Sequence, residues 1–365
     1  MSHDRLLLYV SCGTSLEIVH FEVDRKTGKL ARCGATRLPG APPPADPDTA
    51  PPPASLRSNG APLAISPGGD ALYAAMRDPR FSVVSYRIDR QTGDLLQIGQ
   101  APITDLTPYI ATDRTGRFLL GADYQSNQVW ISRIEPDGAV TQLPMQQVEG
   151  LVTVHSVMLH PDNRLAFVGA TGVSQVQIFA FDPESGHLGA RGAAIGTSLD
   201  PDPTPRHLAI SPDQRFLYCV NETSGIIDTF AIDAESGGLT LVHSLDPRPA
   251  ESRHQPGLGA DIHVSPNGRF LYCSERIGGT IAICAIDPDS GHLSLVEAVT
   301  IGSMPRSFAI DPAGRFLVAA AQGDGAIHVF AINDSDGRLV HLETHHASGP
   351  PIWVEFVDLG AARSV

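Results

Sequence analysis

TPRHLAISPDQRFLYCVNE, residues 204–222, holds two short apolar runs, HLAIS and RFLYCV, joined by Pro-Asp-Gln. Arg-His stands in front of them and Asn-Glu behind. A proline followed by a polar residue between alternating apolar runs is tight-turn chemistry, so the stretch reads as a β-hairpin. It is not alone. ISPGGDALYAAM (65–76), TDRTGRFLLGAD (112–123), HPDNRLAFVGA (160–170), SPNGRFLYCSE (265–275) and DPAGRFLVAAA (311–321) repeat its core.

A second phrase, an apolar strand followed by an acidic turn and Gly-x-Leu, follows each copy. It reads HFEVDRKTGKL (20–30), SYRIDRQTGDL (85–95), SRIEPDGAV (132–140), AFDPESGHL (180–188), AIDAESGGL (231–239), AIDPDSGHL (285–293) and AINDSDGRL (331–339). The turn glycines Gly28, Gly93, Gly138, Gly186, Gly237, Gly291 and Gly337 lie 65, 45, 48, 51, 54 and 46 residues apart. Each unit supplies four short strands, with no long helical period between them. Seven such units specify an all-β, seven-bladed β-propeller with four antiparallel strands per blade. The first strand, LLLYVSCG, lacks the upstream phrase, and PPIWVEFVDL (350–359) follows the last repeat without a hairpin. The two chain ends are therefore expected to share one blade, which removes exposed edges. The whole chain, 1–365, is read as one propeller domain. The long first spacing is assigned to LPGAPPPADPDTAPPPAS (38–55), a Pro-rich surface loop.

Composition agrees. The 35 Gly and 30 Pro in 365 residues imply frequent turns, and no apolar run is long enough to span a membrane. The start, MSHDRLLLYVSCG, lacks the basic region and full apolar core of a secretion signal. The five cysteines, Cys12, Cys33, Cys219, Cys273 and Cys284, include no C-x-x-C, so free thiols in a reducing cytoplasm are expected. A net charge of −14 argues against nucleic acid and anionic membrane as partners. It leaves room for a small anion held by a local arginine cluster.

Function in a propeller concentrates at the central channel, so the informative residues are those that break the repeat. With the copies aligned on Pro67, Thr115, Pro161, Pro212, Pro266 and Pro312, the position six residues upstream holds Ala61, Tyr109, His155, Arg206, Ala260 and Arg306. This position opens the innermost strand. Ten residues downstream stand Arg77, Gln125, Thr171, Glu222, Arg276 and Gln322, which return to the same mouth because adjacent strands are antiparallel. A single charge at a strand end is ordinarily a solvated cap. The set His155, Arg206, Glu222 and Arg276 is different, because equivalent positions elsewhere hold Ala or Thr. These four are the catalytic candidates. Arg77, Tyr109, Asn221, His207 and Arg306 are substrate-binding candidates, and Arg80 is open to either reading, binding group or solvated cap. The arginine of G-R-F (Arg117, Arg215, Arg269, Arg315) recurs in most blades and is read as structural. The Asp-rich turns are too short for an EF-hand, and His345-His346 lacks a nearby ligating partner, so no metal or cofactor is expected.

At these residues the chain resembles the seven-bladed β-propeller lactonase family, which includes bacterial 6-phosphogluconolactonases and distant fungal carboxymuconate-cyclising enzymes. The resemblance is carried by VEGLVTVHSVMLHPDNR (148–164), TPRHLAISPDQRFLYCVNE (204–222), ADIHVSPNGRFLYCSER (260–276) and MPRSFAIDPAGRFLVAA (304–320). It implies a histidine, two arginines and a glutamate at His155, Arg206, Arg276 and Glu222. RHQPGLGADIH (253–263) departs from the pattern, being Gly-rich where an aromatic is expected. The resemblance implies hydrolysis of a sugar-acid 1,5-lactone, with 6-phosphogluconolactone the first candidate. His155 or Glu222 would assist water, and Arg206 or Arg276 would meet the oxyanion or an anionic substituent. Two other readings stand beside it. One is a lactonase for an unphosphorylated aldono- or aldarolactone, or a muconate-type cycloisomerase. The other is a non-enzymatic scaffold, for which only 2 Trp and 7 Tyr offer few aromatic anchors. The expected assembly is a monomer or weak homo-oligomer.

Overall fold

The computed structural model describes residues 5–41, 61–77, 81–195 and 199–360. They form seven four-stranded antiparallel sheets, each a blade whose first strand lines the channel. Blade 5, built on the opening stretch, comprises Pro205–Ile210, Phe216–Asn221, Ile227–Ile232 and Leu239–Leu245 from inside to outside. Blade 1 takes its innermost strand, Pro351–Asp358, from the C-terminal part of the chain and its other three, Leu6–Cys12, Glu17–Val23 and Leu30–Arg37, from the N-terminal part. Leu6 pairs opposite Asp358 and Val10 opposite Val354, so the expected closure is present. Of the Pro-rich tract, residues 42–55 lie outside the described set. Leu38, at its start, is buried and donates its amide to the Leu16 carbonyl.

The two repeated phrases exist because they dock on each other across blades. The turn glycine of one blade sits on the apolar residue that opens the second strand of the blade before it. A Cβ on Gly291 would lie 2.5 Å from Phe216, and one on Gly337 would lie 2.6 Å from Phe270. Both glycines have positive φ, 71° and 73°, so that position calls for glycine twice over. The G-R-F arginines fasten the same joint. Arg215 stacks 5.1 Å above Phe216 and donates to the carbonyls of Pro288 and Asp289, in the acidic turn of blade 6. Arg269 does likewise over Phe270 to the carbonyls of Asp334 and Ser335 in blade 7. The Asp of each acidic turn caps backbone. Asp287 Oδ1 accepts from the Asp289 and Ser290 amides and from the Ser290 hydroxyl. Apolar side chains fill the spaces between blades. Phe216, Tyr218 and Val220 of blade 5, for example, pack with Ile262, Leu271 and Cys273 of blade 6.

Blade 3 departs from the sequence alignment by one residue. The Asp113 amide bonds the Phe118 carbonyl as the Ser211 amide bonds that of Phe216, so Asp113 occupies the serine position and Arg114 the proline position. The turn is the one blade 7 makes, where Asp311 accepts from the Ala313, Arg315 and Phe316 amides as Asp113 does from the Thr115, Arg117 and Phe118 amides, with Arg114 standing where blade 7 has Pro312. Tyr109 consequently pairs opposite Ala122, as His207 pairs opposite Val220. It belongs one step deeper in the channel than the alignment placed it. Its partner tier shifts too: Tyr124, not Gln125, matches Glu222, and both donate their amides to the loop before the inner strand (Leu106 and Thr204 carbonyls).

Candidate active site at the arginine mouth

Where the inner strands begin, six blades contribute side chains to one mouth. The centre is Glu222 of blade 5. Its Oε1 accepts from Arg276 Nη2 at 2.8 Å and lies 3.5 Å from Arg206 Nε. Arg206 is 2% exposed and also donates Nη1 to the Ala260 carbonyl. Arg276 is 7% exposed and donates to the Gly259 carbonyl at 2.9 Å. The Gly-rich departure at 253–263 has its reason here. A Cβ on Gly259 would strike the Asn221 carbonyl, and one on Gly257 the Ser224 carbonyl. Only glycine lets this backbone come close enough to hold Arg276.

Arg306 of blade 7 stands in the same field and makes no hydrogen bond or ion pair among the described residues. Arg77 of blade 2 is buried across the mouth. Burial pushes Arg206 and Arg306 down to about 9, with Arg276 the next cause for Arg206 and Arg77 for Arg306. Arg77 is pushed to about 10 by burial and then by Arg206. A guanidinium keeps its proton at neutral pH. The mutual repulsion therefore shows itself as attraction for an anion, with four guanidiniums facing one carboxylate.

Burial alone would raise the Glu222 carboxyl, but Arg206, then Arg276 and Arg306, outweigh it and hold it below the usual range. His155 of blade 4 is buried, and its Nδ1 has no hydrogen-bond partner among the described residues. Burial, then Arg206 and His207, holds its imidazole well below its ordinary value, so the ring is neutral at pH 7. Tyr124 meets it edge-on, ring centroids 5.8 Å apart. Tyr124 is half-buried and lies within the field of Glu222, Arg206 and Arg276. Aligning the repeats on the Phe of R-F, rather than on the turn residue, would have revealed it.

The other sequence candidates go elsewhere. Asn221 is wholly buried inside its blade, its amide donating to Asp228 Oδ2 at 2.7 Å and to the Ile226 carbonyl. It does not face the mouth, because successive strand residues alternate sides. His207 and Tyr109 lie one tier deeper, ring centroids 5.2 Å apart, and line a separate cavity toward the other end of the channel. Arg80 lies outside the described residues. His345 is occupied by Glu343 at 2.9 Å, and no cluster of three or more His, Cys, Asp or Glu side chains suited to a metal occurs among the described residues. No helix of the described residues is long and apolar enough to cross a membrane.

This arrangement can bind an anion and hold a neutral imidazole beside an ionised carboxylate. Known proteins share the scaffold. The family described as Lactonase, 7-bladed beta-propeller matches residues 52–356. A 6-phosphogluconolactonase of Serratia proteamaculans is 38% identical over 250 residues, 68% of this chain and 74% of that protein. One of Pectobacterium carotovorum is 37% identical over the same shares. Among solved structures, the periplasmic gluconolactonase of Pseudomonas aeruginosa superposes with a TM-score of 0.83 at 26% identity, covering 97% of this chain and 99% of that one.

Proposed function

The chain belongs to the seven-bladed β-propeller lactonase family, and from that premise we propose that it hydrolyses a sugar-acid 1,5-lactone at the arginine mouth, with 6-phosphogluconolactone the first candidate. The observation that carries this reading is the neutral His155, its Nδ1 without a partner among the described residues, beside the Arg206–Glu222–Arg276 cluster. A lactone is an activated ester, so a positioned base and an oxyanion partner suffice without a metal.

In this mechanism the neutral His155 imidazole takes a proton from water as the oxygen attacks the lactone carbonyl. The oxyanion that forms is met by Arg206 or Arg276, both already fixed by Glu222 and by backbone carbonyls. Collapse breaks the ring C–O bond, and the imidazolium returns the proton to the leaving alkoxide. The acid then ionises, releasing one proton to solvent. Glu222, held ionised by its arginines, binds a substrate hydroxyl while orienting the guanidiniums. Arg306, with Arg77 beside it, takes the phosphate or carboxylate at the far end of the substrate.

A second reading, action on an unphosphorylated aldonolactone, draws support from the likeness to the Pseudomonas gluconolactonase. Proton release on mixing with fresh 6-phosphoglucono-1,5-lactone or glucono-1,5-lactone, corrected for spontaneous hydrolysis, separates the two. Preference for the phosphorylated lactone, with Arg306→Ala raising its KM about 10- to 100-fold and sparing the neutral lactone, supports the first. Equal KM in Arg306→Ala removes that arginine from substrate binding. No acceleration of either lactone overturns both readings. For location we propose the cytoplasm, a reading supported by five free thiols, four of them buried.

A further inference from the structure

The channel has a second end. The inner strands that start at the arginine mouth finish at the tight turns, and there a cavity of about 290 Å³ opens, floored by Tyr109, His207, Asp261, His263, Trp353 and Glu355. None of Arg77, His155, Arg206, Glu222, Arg276 or Arg306 lines it. Its chemistry is the reverse of the first mouth.

Asp261 is fully engaged. It accepts from His207 Nδ1 at 2.8 Å and from the Ile262 and Phe308 amides, and His263 Nε2 lies 3.4 Å away. Burial would raise its carboxyl, but His263 and His207 outweigh that and keep it well below the usual range. Because Asp261 is ionised, the hydrogen on His207 sits at Nδ1. Nε2 is left as a bare acceptor, buried and without a partner among the described residues. Burial, then Arg206, pushes His207 down to about 4, so the ring stays neutral. Glu355 is a second acceptor. Its Oε1 takes the Trp353 indole N–H at 2.9 Å, and burial pushes its carboxyl up to about 7. Trp353 and Tyr109 meet edge-on, centroids 5.6 Å apart, and supply apolar ring surface. Arg114, on the rim, is exposed.

A buried acceptor without a donor costs about 1–3 kcal/mol, which a ligand carrying donors recovers. Acceptors beside an aromatic face suit hydroxyls on one side of a ring and C–H groups on the other. Charge decides between ligand classes. Asp261 is matched by His263, Arg114 on the rim is exposed, and an anion in the cavity would meet the Glu355 carboxyl group. We propose that this second mouth binds a neutral polyhydroxylated ring of monosaccharide size, its hydroxyls donating to His207 Nε2 and Glu355 and its C–H face resting on Trp353. The site shares no side chain with the six mouth residues named above, although His207 meets His155 edge-on, ring centroids 5.3 Å apart, and binding of a neutral ring is tested apart from lactone hydrolysis.

The chain has two tryptophans, and Trp130 is buried in blade 3 with its indole N–H on Asp123 Oδ1. Trp353 alone therefore reports on the cavity. The full-length native protein is titrated with D-glucose, D-galactose and myo-inositol to about 100 mM while tryptophan fluorescence is followed, calorimetry serving as a second readout. A saturable fluorescence change with at least one of them is expected, with 6-phosphogluconate and glucuronate giving no such change and not displacing the sugar, whatever heat they release at the arginine mouth. In Glu355→Gln, where the amide oxygen still accepts from Trp353, affinity should fall about tenfold. Absence of saturable binding by all three neutral compounds overturns the proposal. So does an equal fluorescence response to the anions, or unchanged affinity in Glu355→Gln. The neutral-versus-anionic comparison needs no variant, so a folding defect in Glu355→Gln would not shelter the idea.

Discussion

His155 and Glu222 sit in one field, and its sign acts on them to different effect. The arginines keep the carboxylate charged, and burial together with the arginines keeps the imidazole uncharged. In the free protein His155 is therefore a base of low proton affinity. An anionic substrate cancels part of the field from Arg206, Arg306 and Arg276, so His155 becomes a stronger base only when substrate is bound. The sign follows: activity needs the unprotonated ring and is lost as pH falls through its pKa. The acid limb of kcat/KM, which reports the free protein, should lie well below pH 6.5, and the acid limb of kcat should lie at higher pH. Coincident limbs, or a kcat limb on the acid side of the kcat/KM limb, would refute the field argument. Replacing either group should be costly. His155→Ala and Glu222→Gln are each expected to lower kcat by about 10²- to 10⁴-fold, and full activity in either variant removes that residue from the mechanism. Sequence symmetry picked out these two because Ala or Thr stands at equivalent positions. It could not choose between them, since burial and neighbours set the protonation states.

At the scale of an element, the unit of stability is the joint between a turn glycine and the aromatic residue beneath it. Gly291 on Phe216 is held by the Arg215 bonds and by the Tyr218 hydroxyl, 3.4 Å from the Gly291 carbonyl. Gly291→Ala adds a Cβ where φ is 71° and where Phe216 leaves no room. Left-handed strain of about 1–2 kcal/mol and overpacking of about 1–3 kcal/mol should together destabilise by roughly 2–5 kcal/mol. Chemical denaturation measures it. Gly189→Ala is the control, since nothing lies within 4 Å of an added Cβ there, and a loss at Gly189 as large as at Gly291 would refute the joint. The phrases G-x-L and G-R-F were legible as turns at this scale, but their partnership was not, because the two halves lie 75 residues apart at Gly291 and Phe216 and 288 apart at Gly28 and Phe316. The slip in blade 3 has a local origin: Arg114 replaces proline in a turn whose Asp113 bonds as Asp311 does in blade 7, so Tyr109 and Tyr124 each belong one position away from where the proline pattern puts them.

Across the whole molecule, a chain of net charge −14 holds its excess guanidinium charge in one mouth and carboxyl groups at the other end of the channel. An anionic lactone is drawn to the first mouth against the overall field. Salt should weaken that attraction, so KM for 6-phosphoglucono-1,5-lactone should rise about threefold or more between low and 0.5 M ionic strength. kcat, and KM for the neutral lactone, should stay flat; equal salt dependence for both lactones would rule out arginine steering. The sequence by itself determined the seven repeats, the shared closing blade and the residues that break the symmetry, because strand period and turn chemistry are local and every copy restates them. It also marked His155, Arg206, Glu222 and Arg276 as one group. Only the tertiary structure decided that Asn221 turns into its blade, that His207 and Tyr109 belong to a second cavity, and that Arg306 stands without a partner among the described residues. Those outcomes depend on which side of a strand faces the axis and on what seven separate blades bring to it. No single repeat carries that information, because the channel exists only once the ring has closed.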